Sequence, residues 1–130
     1  MRVLGIEFAG SNMNYVLLEK THDGFNLLQS NCLAVGETRS RDALIAFQSA
    51  VKTTFNATAP TLIAIKEKPE KGGMQAGSAA LKMEGVVLAN APCPVEFVSG
   101  SRINKCDRTA SIHKYLQPAF KAAAVLLGTP

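Results

Sequence analysis

The sequence lacks the motifs that usually announce a particular chemistry. Its three cysteines, Cys32, Cys93 and Cys106, form no C-x-x-C pair and have no histidine close by, so neither a zinc site nor a disulfide framework is indicated. It contains no G-x-x-x-x-G-K-[ST] loop, no G-x-G-x-x-G turn and no G-x-S-x-G elbow. The usual signatures of nucleoside triphosphate binding, dinucleotide binding and serine hydrolysis are therefore missing.

Long hydrophobic runs are also lacking. No apolar stretch approaches the roughly 20 residues that a membrane-spanning helix needs, and the opening segment reaches a charge at Glu7, too early for a signal peptide. The sequence therefore predicts a cytoplasmic protein with no membrane partner. Of its 130 residues, 47% are hydrophobic and 18% are charged, a composition that predicts one globular domain over residues 1–130.

Acidic residues are fewer than basic ones, and the imbalance is local. The net charge is +4. Residues 1–65 hold five basic and five acidic residues, whereas residues 66–130 hold nine basic and five acidic ones. A basic second half is what a polyanion-binding surface requires, although a solvated basic surface has the same composition.

Two kinds of apolar periodicity divide the chain into strands and helices. The order β-β-β-α-β-α-β-α predicts an α/β domain with a mixed five-stranded sheet, three antiparallel strands followed by parallel ones, and helices on both faces. Pro118 falls inside the last helical pattern, where it kinks or restarts the helix. The strands are predicted at 2–8, 14–19, 25–35, 61–65 and 95–98, and the helices at 41–55, 75–91 and 111–127.

Two acids follow strands that are predicted to be parallel neighbours. Glu7 closes the first strand and Glu67 follows the fourth. Because sites in α/β sheets form at the carboxyl ends of parallel strands, the two carboxylates would suit an oxygen-ligated Mg²⁺ or Mn²⁺. Ordinary ion pairs with Lys66, Lys68 or Lys71 explain the same residues and are favoured by spacing alone.

A third acid, Glu84, lies on the helical stripe Gly77, Leu81, Glu84, Leu88 and Ala91. A carboxylate on an otherwise apolar face requires a partner, which is either a metal or a structural contact.

Basic residues also cluster in two segments. The loop 66–73 places lysines and glycines before a helix and is a candidate phosphate-binding loop. The segment 102–108 has three basic residues and one acid, and is either a patch that binds a nucleic-acid backbone or a solvated helix start.

Several of these segments, in this order, resemble a known family. They are the opening Leu4-Gly5-Ile6-Glu7 with its Gly10-Ser11 turn and Tyr15, the strand end Ile65-Lys66-Glu67, the helix 79–85 and the segment 101–105. Together they resemble the RuvC-type Holliday junction resolvases of the ribonuclease H-like superfamily. The Lys-Glu-Lys strand end and the Leu-Lys-Met-Glu helix resemble still more closely a small bacterial family of unknown function associated with that superfamily.

The resemblance implies a nucleic-acid-directed function. Glu7 and Glu67 would be catalytic carboxylates of a two-metal nuclease, with Glu84 as a further ligand of Mg²⁺ or Mn²⁺. The phosphates of DNA or RNA would contact Lys71, Arg102 and Lys105, and the protein would form a homodimer, as resolvases do.

Two departures from the resolvase pattern keep a second hypothesis open. Glu7 stands where resolvases have aspartate, and the last predicted helix carries no carboxylate. The alternative is a non-catalytic scaffold or dimerisation module that kept the fold and lost the complete acidic site.

Overall fold

A computed structural model describes residues 1–68 and 77–128. One five-stranded sheet with the strand order β3-β2-β1-β4-β5 forms its centre. The strands are β1 (Arg2–Ala9), β2 (Asn12–Thr21), β3 (Gly24–Ala34), β4 (Leu62–Lys66) and β5 (Val95–Val98). The helices are α1 (Arg41–Thr58), α2 (Ser78–Asn90), α3 (Gly100–Asn104) and α4 (Gln117–Leu127), with a 3-10 turn at Lys114–Leu116.

The sheet is mixed, which confirms the predicted fold class. β1, β2 and β3 form an antiparallel meander, and Gly10 takes the left-handed φ of 58° that the first tight turn requires. β4 pairs with β1, and β5 with β4, in parallel. β4 is apolar because both of its faces are covered, as expected for a central parallel strand.

The two faces of the sheet pack against different helices. Because side chains alternate along a strand, Leu4 and Ile6 of β1 join one core with α1 and α2. Val3 joins the other core, which is built mainly on α4 and also includes Ile103 of α3. The prediction that helices cover both faces is therefore confirmed.

α4 rests directly on β1. A Cβ atom at Gly5 would overlap the carbonyl oxygen of Ala119 and would lie 2.9 Å from the Cβ of Ala123. Alanines along this helix allow the close approach, since Ala119, Ala122 and Ala123 are all fully buried. This contact fixes α4 over the face of β1 that carries its odd-numbered residues.

The start of α1 agrees with the prediction, whereas the start of the last helix differs from it, and both have local causes. α1 begins where predicted, because the Ser40 hydroxyl accepts a hydrogen bond from the Ala43 amide. Of the two predicted effects of Pro118, the restart is found and the kink is not: Pro118 lies in the first turn of α4, where a missing N–H costs nothing. The preceding residues form a separate 3-10 turn, and the short α3 was not predicted as an element.

Within residues 1–68 and 77–128, none of the helices is both long enough and apolar enough to cross a membrane.

Candidate functional site at the carboxyl end of the sheet

A row of polar side chains crosses the sheet near the end of β1. Asn14 lies opposite Glu7 in the β1–β2 pair, and Lys66 is the last residue of β4, one position beyond the Ile6–Ile65 partners. Residues directly opposite in a sheet share a face. Since Gly5 of the same strand faces α4, the row of Asn14, Glu7 and Lys66 lies on the α4 side.

Glu7 is an enclosed carboxylate that pairs with a lysine. Its relative exposure is 9%, and the Lys66 Nζ lies 3.2 Å from the Glu7 Oε2. The lysine side chain is 28% exposed, so the ammonium lies at the edge of the buried region. The alternative in which Glu7 pairs with Lys66 is confirmed, although the pair is largely buried, whereas an ordinary surface pair was expected.

The 3-10 turn before α4 contacts this row. The Asn14 side-chain amide donates to the Tyr115 carbonyl at 3.4 Å, which brings the residues just before α4 next to Glu7. Gln117, the first residue of α4, donates its own side-chain amide to the Ala110 carbonyl at 3.0 Å. The sequence of α4 contains no aspartate or glutamate, so this helix adds no carboxylate to the site.

Glu67 lies at the same edge of the sheet as Glu7. Its amide donates to the Val98 carbonyl at 2.8 Å, which extends the contact between β4 and β5, and the residue is exposed. Strand pairing nevertheless gives the position beside Glu7 to Lys66 rather than to Glu67.

Glu84 lies on the other side of the sheet. The buried residues of α2 are Ala80, Met83 and Val87, and they belong to the core shared with α1. Glu84 is half-buried beside this stripe and takes part in a polar interaction of its own. Of the stripe predicted through Gly77, Leu81, Glu84, Leu88 and Ala91, Leu81 and Ala91 pack against this core, whereas Gly77 and Leu88 are exposed.

The predicted phosphate-binding residues are spread over the surface. Lys71 lies outside the described residues. Arg102 and Lys105 line a cleft of about 310 Å³, which α3 and the following segment form with the C-terminal half of α4. Arg102 lies 4.0 Å from Glu96 in an exposed ion pair. The cleft and the Glu7 row thus lie near opposite ends of α4.

The donor set near Glu7 does not fit a divalent metal centre. Among residues 1–68 and 77–128, no three aspartate, glutamate, histidine or cysteine side chains come together in a way that could hold a metal ion. A Mg²⁺ ion is usually held by one or two carboxylates together with waters, whereas the charged group beside the Glu7 carboxylate is an ammonium, which repels a cation. The described residues therefore assemble an ion pair where the sequence predicted a metal site.

The family model for DUF3010 matches residues 1–126, which is nearly the whole chain. The chain belongs to the DUF3010 family, described as proteins of unknown function. This agrees with the resemblance seen in the Lys-Glu-Lys strand end and the α2 sequence. A search of curated proteins finds no significant match to this DUF3010 sequence.

Solved structures of Holliday junction resolvases are similar in fold to this DUF3010 protein. RuvC from Thermus thermophilus has a TM-score of 0.77 at 14% identity, over 96% of this chain and 92% of RuvC. The same RuvC in complex with a Holliday junction gives a TM-score of 0.73 at 15% identity, over 96% and 91% of the two chains. The fowlpox virus resolvase, in complex with Holliday junction DNA, gives 0.61 at 10% identity, over 98% and 97%. At these identities the likeness establishes a RuvC-like fold.

Sequence reasoning missed Asn14 and named Lys66 only as one of several possible ion-pair partners. The sequence pattern placed Lys66 in a loop, as one of three lysines available to pair with an acid, and it gave Asn14 no role beyond its strand. Asn14 is 3% exposed, and a buried amide needs a hydrogen-bond partner. Its polar character inside an apolar strand was the available signal; its partner, the Tyr115 carbonyl, is 101 positions away.

Proposed function

We propose that this protein binds nucleic acid, with a branched DNA as the first candidate ligand. The observation that carries the proposal is the RuvC-like fold over nearly the entire chain, since two of the similar proteins are resolvases bound to Holliday junction DNA. The chain has the +4 charge that phosphate binding favours.

The placement of basic residues supports this proposal. Lys66 is the last residue of β4 and Lys68 lies two positions further on, while α3 with Arg102 begins just after β5. Lys114 is exposed in the 3-10 turn beside the Glu7 row. Lys66, Lys68 and Lys114 therefore lie near the carboxyl end of the sheet, where α/β domains bind their ligands, whereas Arg102 lines the cleft at the other end of α4.

Binding without cleavage is the version that the donor chemistry favours. Phosphodiester hydrolysis through Mg²⁺ or Mn²⁺ would need Glu7 and Glu67, with Glu84, as metal ligands. In the described residues, Glu7 pairs with Lys66 and Glu84 lies on the opposite face of the sheet. A nucleic-acid-binding scaffold without a complete acidic site is consistent with both observations.

Fluorescence anisotropy tests the proposal with a labelled four-way junction, a duplex of the same length and single-stranded RNA. We expect saturable binding of at least one of these, with a logarithmic affinity that falls linearly with the logarithm of salt concentration. Replacing Arg102 and Lys105 with glutamine should reduce that slope by about 0.9 for each phosphate that the variant no longer neutralises.

The matched control replaces two basic residues of α1. Arg41 and Lys52 are exposed on the helix that packs against the opposite face of the sheet. Changing both to glutamine alters the net charge equally, so it should leave the slope nearly unchanged. Equal losses from both double variants would show that only net charge acts. The absence of saturable binding to all three ligands at low salt would refute the proposal.

Incubation of the same junction with Mg²⁺ or Mn²⁺ separates binding from cleavage. Binding without strand scission supports the scaffold version. Scission that is lost in Glu7→Gln, with binding retained, would establish the nuclease version instead.

A homodimer and a cytoplasmic location stay predictions from the sequence. Leu88 on α2 and Tyr115 before α4 are 44% and 49% exposed, which leaves apolar surface on both sides of the sheet. Size-exclusion chromatography with light scattering measures whether the free chain associates.

A further inference from the structure

The pairing of β1 with β4 decides which residue stands beside Glu7. Ile6 is partnered with Ile65 in parallel register, so the next position on β4 is Lys66. Lys66 shares its face with Ala64, which lies in the core under α4. A second carboxylate able to share a cation with Glu7 across this strand pair would have to come from the position that Lys66 holds.

The ammonium group also lies against the carboxylate that a metal site here would need. It is 3.2 Å from Glu7 Oε2 at the edge of the buried region. The 3-10 turn before α4 contacts the same row through the hydrogen bond from Asn14 to the Tyr115 carbonyl. A lysine ammonium has three donors and no acceptor, so it satisfies the buried carboxylate and at the same time repels any second cation.

We propose that Lys66 is the resident cation of this site, and that its ammonium takes the place of a divalent metal beside Glu7. The ion pair joins the carboxyl ends of β1 and β4 without a metal. The end of the sheet then functions as a metal-free site whose charge does not change with the supply of divalent ions. This inference does not depend on nucleic-acid binding.

Titration with Mn²⁺ tests the inference in the full chain, with Mn²⁺ binding followed by electron paramagnetic resonance and by calorimetry. The unmodified protein should show no saturable site that Glu7→Gln removes, up to millimolar Mn²⁺. Lys66→Glu should gain one saturable Mn²⁺ site, at least tenfold tighter than any binding by the unmodified protein. Adding Glu7→Gln to Lys66→Glu should abolish the gain, because both carboxylates are then needed.

Thermal unfolding gives a second readout. Since a ligand that binds only the folded state stabilises it, Mn²⁺ should raise the melting temperature of Lys66→Glu and leave that of the unmodified chain unchanged. Lys66→Asp provides a shorter carboxylate if Lys66→Glu does not fold. Saturable Mn²⁺ binding by the unmodified protein that Glu7→Gln abolishes would overturn the inference. A folded Lys66→Glu or Lys66→Asp with no gain in Mn²⁺ affinity would do the same.

Discussion

Gly5→Ala should be among the most damaging single changes in the protein, because it adds one methyl group between β1 and α4. The new Cβ would overlap the carbonyl oxygen of Ala119 and lie 2.9 Å from the Cβ of Ala123. The Ala119 oxygen belongs to the helix backbone and has no side-chain torsion through which to move away. α4 would therefore have to shift as a body off the strand.

The cost follows from what that shift would disturb. α4 places Ala119, Phe120 and Ala123 in the core with no exposed surface, so moving it opens gaps along the whole face. Overpacking a core costs about 1–3 kcal/mol, and occasionally more. With backbone as the obstacle, we expect about 3 kcal/mol or more, which is a large part of the roughly 5–15 kcal/mol that a domain has.

Gly85→Ala provides the matched control. Gly85 lies within α2, and a Cβ atom at this position would have nothing within 4 Å, so the same substitution should stabilise the helix by about 0.5–1 kcal/mol. Urea unfolding followed by circular dichroism gives both free energies of unfolding. Effects of opposite sign are expected. If Gly5→Ala lost less than about 1 kcal/mol, the close seating of α4 on β1 would be refuted.

Three further predictions concern single side chains. Arg108→Ala should lower the free energy of unfolding by about 1–2 kcal/mol in urea melts, because the guanidinium donates to two carbonyls at the C-terminal end of α4. Burial raises the pKa of the Cys32 and Cys93 thiols, so both should react with iodoacetamide more slowly in the folded than in the unfolded chain. Any stability that the raised pKa contributes is present below the ordinary thiol pKa and is lost as the pH rises through the raised pKa. Equal alkylation rates in the folded and unfolded chains would contradict the predicted protection of the two thiols. Lys66→Met should lower the free energy of unfolding more than Glu7→Gln does in the same urea assay. The reverse order would show that the Glu7 carboxylate is not effectively buried.

Most of the fold could be predicted from local patterns. β5 was predicted with its observed bounds, and α1 with its observed start, because Ser40 provides a recognisable N-cap. The mixed sheet followed from a meander and then alternation of helices with strands. The last helix was predicted too long at its start, because an apolar period of helical spacing runs from a 3-10 turn into α4, which begins only at Gln117.

The candidate site could be predicted only in part, because it depends on strand register. The fourth strand was predicted to end at Ile65, which left Lys66 and Glu67 as equivalent residues after a strand. In the structure β4 includes Lys66, and a shift of one residue exchanges the faces on which side chains lie. β1 and β4 are separated by a meander and a helix, so no local pattern specifies their register.

A buried ion pair has a structural role whether or not the site has a function, and the two partners are not equivalent in that role. Loss of Lys66 would leave the Glu7 carboxylate, only 9% exposed, without its counter-charge. Because the pair is part-buried, this should cost less than the roughly 3–5 kcal/mol of breaking a fully buried pair. Loss of the Glu7 charge would leave a lysine whose side chain is already 28% exposed and whose long stem can carry the ammonium into water. Stability alone therefore explains why a cation must accompany Glu7, but not why that cation is an ammonium. A divalent metal would compensate the same carboxylate if a second acid stood at position 66. The Mn²⁺ titration of Lys66→Glu therefore separates neutralisation of Glu7 by an ammonium from neutralisation by a metal ion.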